Sequence, residues 1–367
     1  MSQQAAAPPK LDTLEIGRFL AASAVFASHI PWFAAGFARS PQETLFGGWS
    51  APGPFAVEYF FTLSGFVMMM AHHKDFARPG APWRFWWRRA CRIFPMYWLS
   101  LALALQVAPP PATWEGWIKI LTLAPVAVPD VVLPAWSLHV EIAFYVLFGL
   151  CLVGGRLGAV ILGAWLGLVT TTCCSPRLLV HILPHAFSAH EVLGIIGSPN
   201  VFFHLQFFAG LAAGWLFLNA TIGRRTGWGL LGIGTLALLA CLPELHWGHD
   251  YLTRALAPVL ALAFGAVVLG LASLERAGVF RPGRWARWLG AASYPLYILH
   301  TSLMMVFYVH TGGTWRYGEA GLYAVFFVTL FAIWAAAFAV ALLVDQPLQR
   351  GLRWASRALA TKTAAHA

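Results

Sequence analysis

The stretch AGLYAVFFVTLFAIWAAAFAVALLV, Ala320–Val344, carries no charged side chain from end to end. Wound as an α-helix at about 1.5 Å per residue, it reaches about 37 Å, more than the ~30 Å hydrocarbon core of a bilayer. A helix of a water-soluble protein would turn a polar face outward every few residues, and this one has none. Similar runs recur at Leu14–Ala35, Phe55–Ala71, Cys91–Val107, Ala135–Val153 and Leu157–Cys173, then at Val201–Asn219, Trp228–Leu242, Leu252–Leu274 and Trp288–Val309. They predict an all-α, polytopic integral membrane protein of ten transmembrane helices. Composition agrees, with 59% hydrophobic and 10% charged residues, against about 25% charged in a soluble domain. The period-two alternation of a membrane β-barrel strand does not occur.

The basic residues orient these spans. With the N-terminus in the cytoplasm, 19 of the 24 Lys and Arg fall on the cytoplasmic side, and Arg39, Lys119, Arg177, Arg254 and Arg316 fall opposite. So lopsided a division follows the positive-inside rule and places both termini in the cytoplasm. It also accounts for the net charge of +10 without nucleic acid as a partner. Trp83, Trp86, Trp87, Trp285, Trp288 and Trp354 flank the basic segments as an interfacial belt. Residues 1–10 form a polar N-terminal segment, 11–349 the membrane domain and 350–367 a basic cytoplasmic tail. The first span holds Glu15, Arg18 and His29, unlike the clean apolar core of a cleaved signal.

Two proline-broken pieces, Ile118–Leu133 and Leu178–Phe187, suit interfacial or re-entrant segments. The five cysteines are scattered without zinc spacing and read as apolar filler, with a pairing of Cys173 or Cys174 on an oxidising face left open. Gly154/Gly158 and Gly210/Gly214 predict close helix approach.

Ionisable groups at membrane depth cost on the order of 2.5–3.5 kcal/mol each on insertion scales and mark function by default. Arg18 and His29 lie eleven positions apart, so one helix face presents both, about 16 Å apart along the axis. Glu15, one turn before Arg18, can neutralise it. Arg18 alone is equally well explained by snorkelling to the headgroups. Glu58 is a further buried acid. His139 and Glu141 point about 200° apart on a helix and so do not form one acid–base pair; Glu141 is the deeper. Ser64 lacks the context of a nucleophile elbow. His300 follows Pro295 at depth. Arg89 and Arg92, three apart at the head of the third span, suit phosphate recognition by guanidinium forks as well as a topology signal.

Five stretches, in this order, carry a family resemblance. They are Leu11-Asp12-Thr13-Leu14-Glu15-Ile16-Gly17-Arg18 running to His29, Phe60-Phe61-Thr62-Leu63-Ser64-Gly65-Phe66, and Arg89-x-x-Arg92-Ile93-x-Pro95-x-Tyr97-Trp98. The last two are Trp136-Ser137-Leu138-x-Val140-Glu141-x-x-Phe144-Tyr145 and Ser293-Tyr294-x-Leu296-Tyr297-x-Leu299-His300. From about Leu11 to Gln349 the chain resembles the membrane-bound acyltransferase 3 family, bacterial O-acyltransferases of the cytoplasmic (inner) membrane.

The resemblance implies ten core helices, a cytoplasmic acyl-CoA donor, expected to be acetyl-CoA, and no metal. It also implies a carbohydrate or other hydroxyl-bearing acceptor at the opposite face. On that likeness His29 is catalytic, Glu141 shapes the reaction centre, Arg18 lines the donor cavity, and Arg89 and Arg92 hold donor phosphates. Many relatives carry an added extracytoplasmic domain, which is not expected here. The Arg sits later after the Asp than in many relatives, while its register to His29 matches.

Imidazole suits the base such a reaction needs, and a dry membrane cavity suits stabilisation of a developing oxyanion. The competing class is a secondary transporter or flippase for a sugar-containing or anionic substrate. Such proteins are commonly built from two related halves, and none are evident here.

Overall fold

The computed structural model describes residues 11–38, 52–124, 130–174, 202–246, 250–311 and 319–365. The N-terminal segment 1–10 and the piece Leu178–Phe187 lie outside the described residues, as do the side chains of Cys173 and Cys174. Every regular element among the described residues is helical. The helices are α1 (Asp12–Ala38), α2 (Pro52–His72), α3 (Ala81–Ala104), α4 (Trp114–Thr122), α5 (Ala135–Cys151) and α6 (Gly155–Cys174). There follow α7 (Phe203–Asn219), α8 (Arg224–His246), α9 (Asp250–Arg276), α10 (Trp285–Thr311) and α11 (Glu319–Val340). A π-helical turn, Ala341–Asp345, leads from α11 into α12 (Gln346–Ala365). Helix is the only open-chain way to satisfy every backbone polar group within lipid, so long apolar runs become helices.

By length and composition, five helical stretches among the described residues can cross a membrane: 55–72, 224–242, 256–276, 285–310 and 321–356. The apolar helices Ala135–Cys151 and Gly155–Thr171 are shorter. The third predicted span turns out to be the second half of a longer helix. Gly80, at φ 69°, and Pro82 start α3 ten residues earlier, so Arg84, Arg88, Arg89 and Arg92 ride on it. Short α4 overlaps the start of the predicted interfacial piece Ile118–Leu133, of which residues 125–129 lie outside the described residues. Thr113 caps α4, and Tyr97 Oη and Trp98 Nε1 donate to the carbonyls of Ile120 (2.5 Å) and Leu121 (3.0 Å), tying it to α3.

Aromatic packing makes the centre. Phe144 stacks on Phe207 with centroids 4.7 Å apart, Phe148 packs edge-on to Phe207 and against Phe85, and all four are buried. Outward-facing apolar side chains, such as Leu343 (76% exposed) and Leu262 (73%), suit a lipid surrounding. The two glycine pairs separate in role. A Cβ on Gly210 would strike the Thr62 carbonyl, and one on Gly214 would meet Phe66 and Met69, so α7 lies backbone-close on α2. Gly154 instead turns the chain between α5 and α6 at φ 75°, where a side chain would be strained and would also strike Ala77.

One end of the bundle is laced together by polar contacts. Glu275 at the end of α9 accepts from the backbone N–H of Asp12 (2.7 Å) and Thr13 (2.8 Å), and Arg287 pairs with Asp12 at 3.2 Å. Ala77 N–H donates to the Leu152 carbonyl at 3.1 Å. These residues all belong to segments assigned to one side of the membrane by their basic residues.

Candidate functional site

Two cavities meet at Arg18, which lines both. The first, of about 130 Å³, lies among α1, α2, α3, α5 and α10, with Ser64, Arg89, Glu141, Tyr145, Tyr294 and Tyr297 in its wall. The second, of about 270 Å³, opens toward the laced end and is strongly polar, with Arg92, Arg287, Asp345, Arg350 and Arg353 in its wall.

In the first cavity Glu141 accepts a short hydrogen bond from Tyr145 Oη, one helical turn on. Arg89 lies over the rings of Tyr145 (5.3 Å) and Phe85 (5.5 Å). Its Nη2 is 3.4 Å from His72 Nε2, and its Nε finds no acceptor. An arginine can only donate, so His72 Nε2 is the acceptor and its Nδ1–H donates to Asp75 at 2.8 Å. The cavity therefore holds two guanidiniums and one carboxylate in aromatic walls, a setting in which charge–charge attraction is strong.

Arg92 goes elsewhere. Its Nη1 reaches Asp345 Oδ2 at 2.8 Å, and its guanidinium lies 5.0 Å from the centre of the Tyr294 ring. Asp345 is 2% exposed and is the last residue of the π-helical turn. Such turns shift side-chain register within a helix and recur at functional sites. Arg18 pairs with Glu15 at 3.6 Å, as the spacing predicts.

His29 is half-buried and is not among the residues lining the first cavity. It faces His300, ring centroids 5.1 Å apart. His29 Nδ1 lies 2.8 Å from the Val25 carbonyl, so it carries the proton. His300 Nδ1 lies 2.8 Å from the Tyr297 carbonyl and is protonated by the same reasoning. The lone pair of His300 Nε2 then faces His29 Nδ1–H at 3.3 Å. This leaves His29 Nε2 as the basic nitrogen of the imidazole, without a partner among the described residues. Tyr297 connects the two regions, for it lines the cavity and packs on His300.

His139 stands apart from Glu141, as the helix angle requires, and pairs with Asp130 at 2.8 Å. Glu58 is 4% exposed, and its Oε2 has no partner among the described residues. His72, Asp75, Asp345 and the tyrosines join the site without being expected from the sequence. Asp345 had a signal: it is the first charge after the long run Ala320–Val344. His72 and Asp75, three apart, had another. Among the described residues no group of three or more His, Cys, Asp or Glu is placed to hold a metal.

Comparison with known proteins bears on this arrangement. The model of a family described as "Acyltransferase domain", acyltransferase 3, matches residues 11–344. Acyltransferase MdmB of Streptomyces mycarofaciens is 33% identical over 161 residues, 39% of this chain and only 40% of MdmB. Exopolysaccharide production protein ExoZ of Rhizobium meliloti (strain 1021) is 28% identical over 268 residues, 69% of this chain and 77% of ExoZ. No solved structure matches the chain.

Proposed function

Since the chain belongs to the acyltransferase 3 family, we propose that it moves an acyl group, acetyl in the simplest case, from cytoplasmic acyl-CoA to a hydroxyl of a carbohydrate or related acceptor at the opposite face of the bacterial inner membrane. The observation that carries this reading is the pair of abutting cavities. A cationic one opens at the laced end, and an aromatic-walled one beside it runs toward the histidines through Tyr297. Ten membrane-crossing helices over residues 11–349, with both termini cytoplasmic, put the cationic cavity on the cytoplasmic side. The 19-to-5 division of basic residues supports that orientation.

The donor fits the residues present. Five arginines against two carboxylates line the second cavity, a composition suited to phosphate groups. When bound, acyl-CoA supplies the acyl group as a thioester. Arg18 and Arg89 hold the donor's polar length between the two cavities, and Glu141 with Tyr145 fixes the arginines. His29 Nε2 takes the proton of the acceptor hydroxyl as its oxygen bonds to the acyl carbon. The C–S bond breaks, and His29 returns the proton to the departing thiolate. His300 holds the His29 tautomer. The names of the relatives, an acyltransferase and an exopolysaccharide production protein, support an acceptor of this class.

The test is acyl incorporation into purified surface glycan by a His29→Gln variant, with membrane protein quantified. Loss of a general base is expected to cost roughly 10²–10⁴-fold. Substantial incorporation at equal protein level would overturn the role of His29 and reopen the transporter reading.

A further inference from the structure

The second cavity has a wall that the family match does not reach. That match ends at residue 344, and α12 begins two residues later. Arg350 and Arg353, three apart, share one side of α12 and both line the cavity, together with Gln346 and Gln349. The helix is held in place. Gln349 Nε2 donates to the Cys91 carbonyl at 2.9 Å, and Trp87 Nε1 donates to Ser356 Oγ at 3.1 Å.

The other cations of the cavity have acids: Arg18 has Glu15, Arg92 has Asp345 and Arg287 has Asp12. Arg350 reaches only the Gln346 amide oxygen, at 3.3 Å, and Arg353 has no ion pair among the described residues. A fixed helix thus aims two arginines without a carboxylate partner into a polar volume already ringed by three more. Like charges so gathered repel unless an anion lies between them. The matching anion is a phosphate, which accepts forked donation from several guanidiniums at once.

We propose that α12 completes the donor site, with Arg350 and Arg353 gripping the phosphate groups of the donor's nucleotide. This rests on the acyl-CoA reading above and reassigns part of it. Arg92 buttresses this wall through Asp345, and Arg89, in the neighbouring cavity, does not reach the nucleotide. A phosphate could equally come from an anionic lipid headgroup at the membrane surface, and the experiment separates the two sources.

Binding of coenzyme A to the full-length protein is measured in nanodiscs of phosphatidylcholine and in nanodiscs containing phosphatidylglycerol. Arg350→Gln/Arg353→Gln is expected to weaken coenzyme A binding roughly tenfold or more in both, as lost charge-assisted hydrogen bonds do. Dephospho-coenzyme A and adenosine 3′,5′-bisphosphate then show which phosphate the pair holds. Arg350→Lys/Arg353→Lys recovers part of the affinity, and Arg156→Gln, an exposed arginine off the cavity, changes nothing. Unchanged coenzyme A affinity in the Gln variant would overturn the proposal while leaving the acyl-CoA reading intact. So would an effect confined to retention of phosphatidylglycerol. Failure of the unmutated protein to bind coenzyme A at all would bring down both.

Discussion

At the scale of single residues, the informative feature is which nitrogen carries which proton. A buried imidazole has one donor and one acceptor, and a carbonyl on one nitrogen determines the other. Val25 and Tyr297 therefore set His29 and His300 in matching tautomers, and His300 receives the hydrogen that keeps His29 from turning. A residue that works only through another loses its effect once that other is gone. His300→Ala should thus lower acyl transfer about tenfold in the unmutated background, and add nothing further in a His29→Gln background. Purified-glycan incorporation by the four members of that cycle checks it; additive losses would show that His300 acts on its own. Glycan from a strain lacking the protein gives the baseline.

At the scale of elements, the spacing of residues predicted helices well and neighbours poorly. The apolar runs and the Arg18-to-His29 face were legible because both follow from helix period and length alone. The destinations of Arg89 and Arg92 were not. Three steps of about 100° leave the two side chains some 60° apart around α3, enough to send one toward Tyr145 on α5 and the other to Asp345. Only the packing of α2, α5, α10 and the π-helical turn against α3 decides that split. Nor could spacing tell that Gly210 seats a helix while Gly154 turns one, since both begin a small-xxx-small pair. The close seat of Gly210 predicts a contrast in stability with an open glycine. Gly210→Ala should cost on the order of 1–3 kcal/mol by overpacking against α2, whereas Gly163→Ala, whose Cβ meets nothing within 4 Å, should be tolerated. Thermal unfolding of the detergent-purified variants measures both, and equal melting temperatures would refute the close seat of α7 on α2.

At the scale of the whole molecule, the laced end gathers the basic segments that the sequence assigns to the cytoplasm. Reporters fused after Leu152 and Asn219 should therefore read as cytoplasmic, and one fused after Pro110 as external. A cytoplasmic reading at Pro110 would break the ten-span order. The walls of the second cavity come from opposite ends of the described chain: Arg18 from α1, Arg350 and Arg353 from α12. A nascent chain inserts its helices in order, so the wall that α12 gives this pocket is the last to arrive, after α1, α3 and α10 have supplied theirs. If Arg350 and Arg353 grip the nucleotide as proposed, a chain stalled before that point would sit in the bilayer with His29 and His300 already paired and that grip missing. On that proposal, it is the docking of α12 that would switch donor capture on.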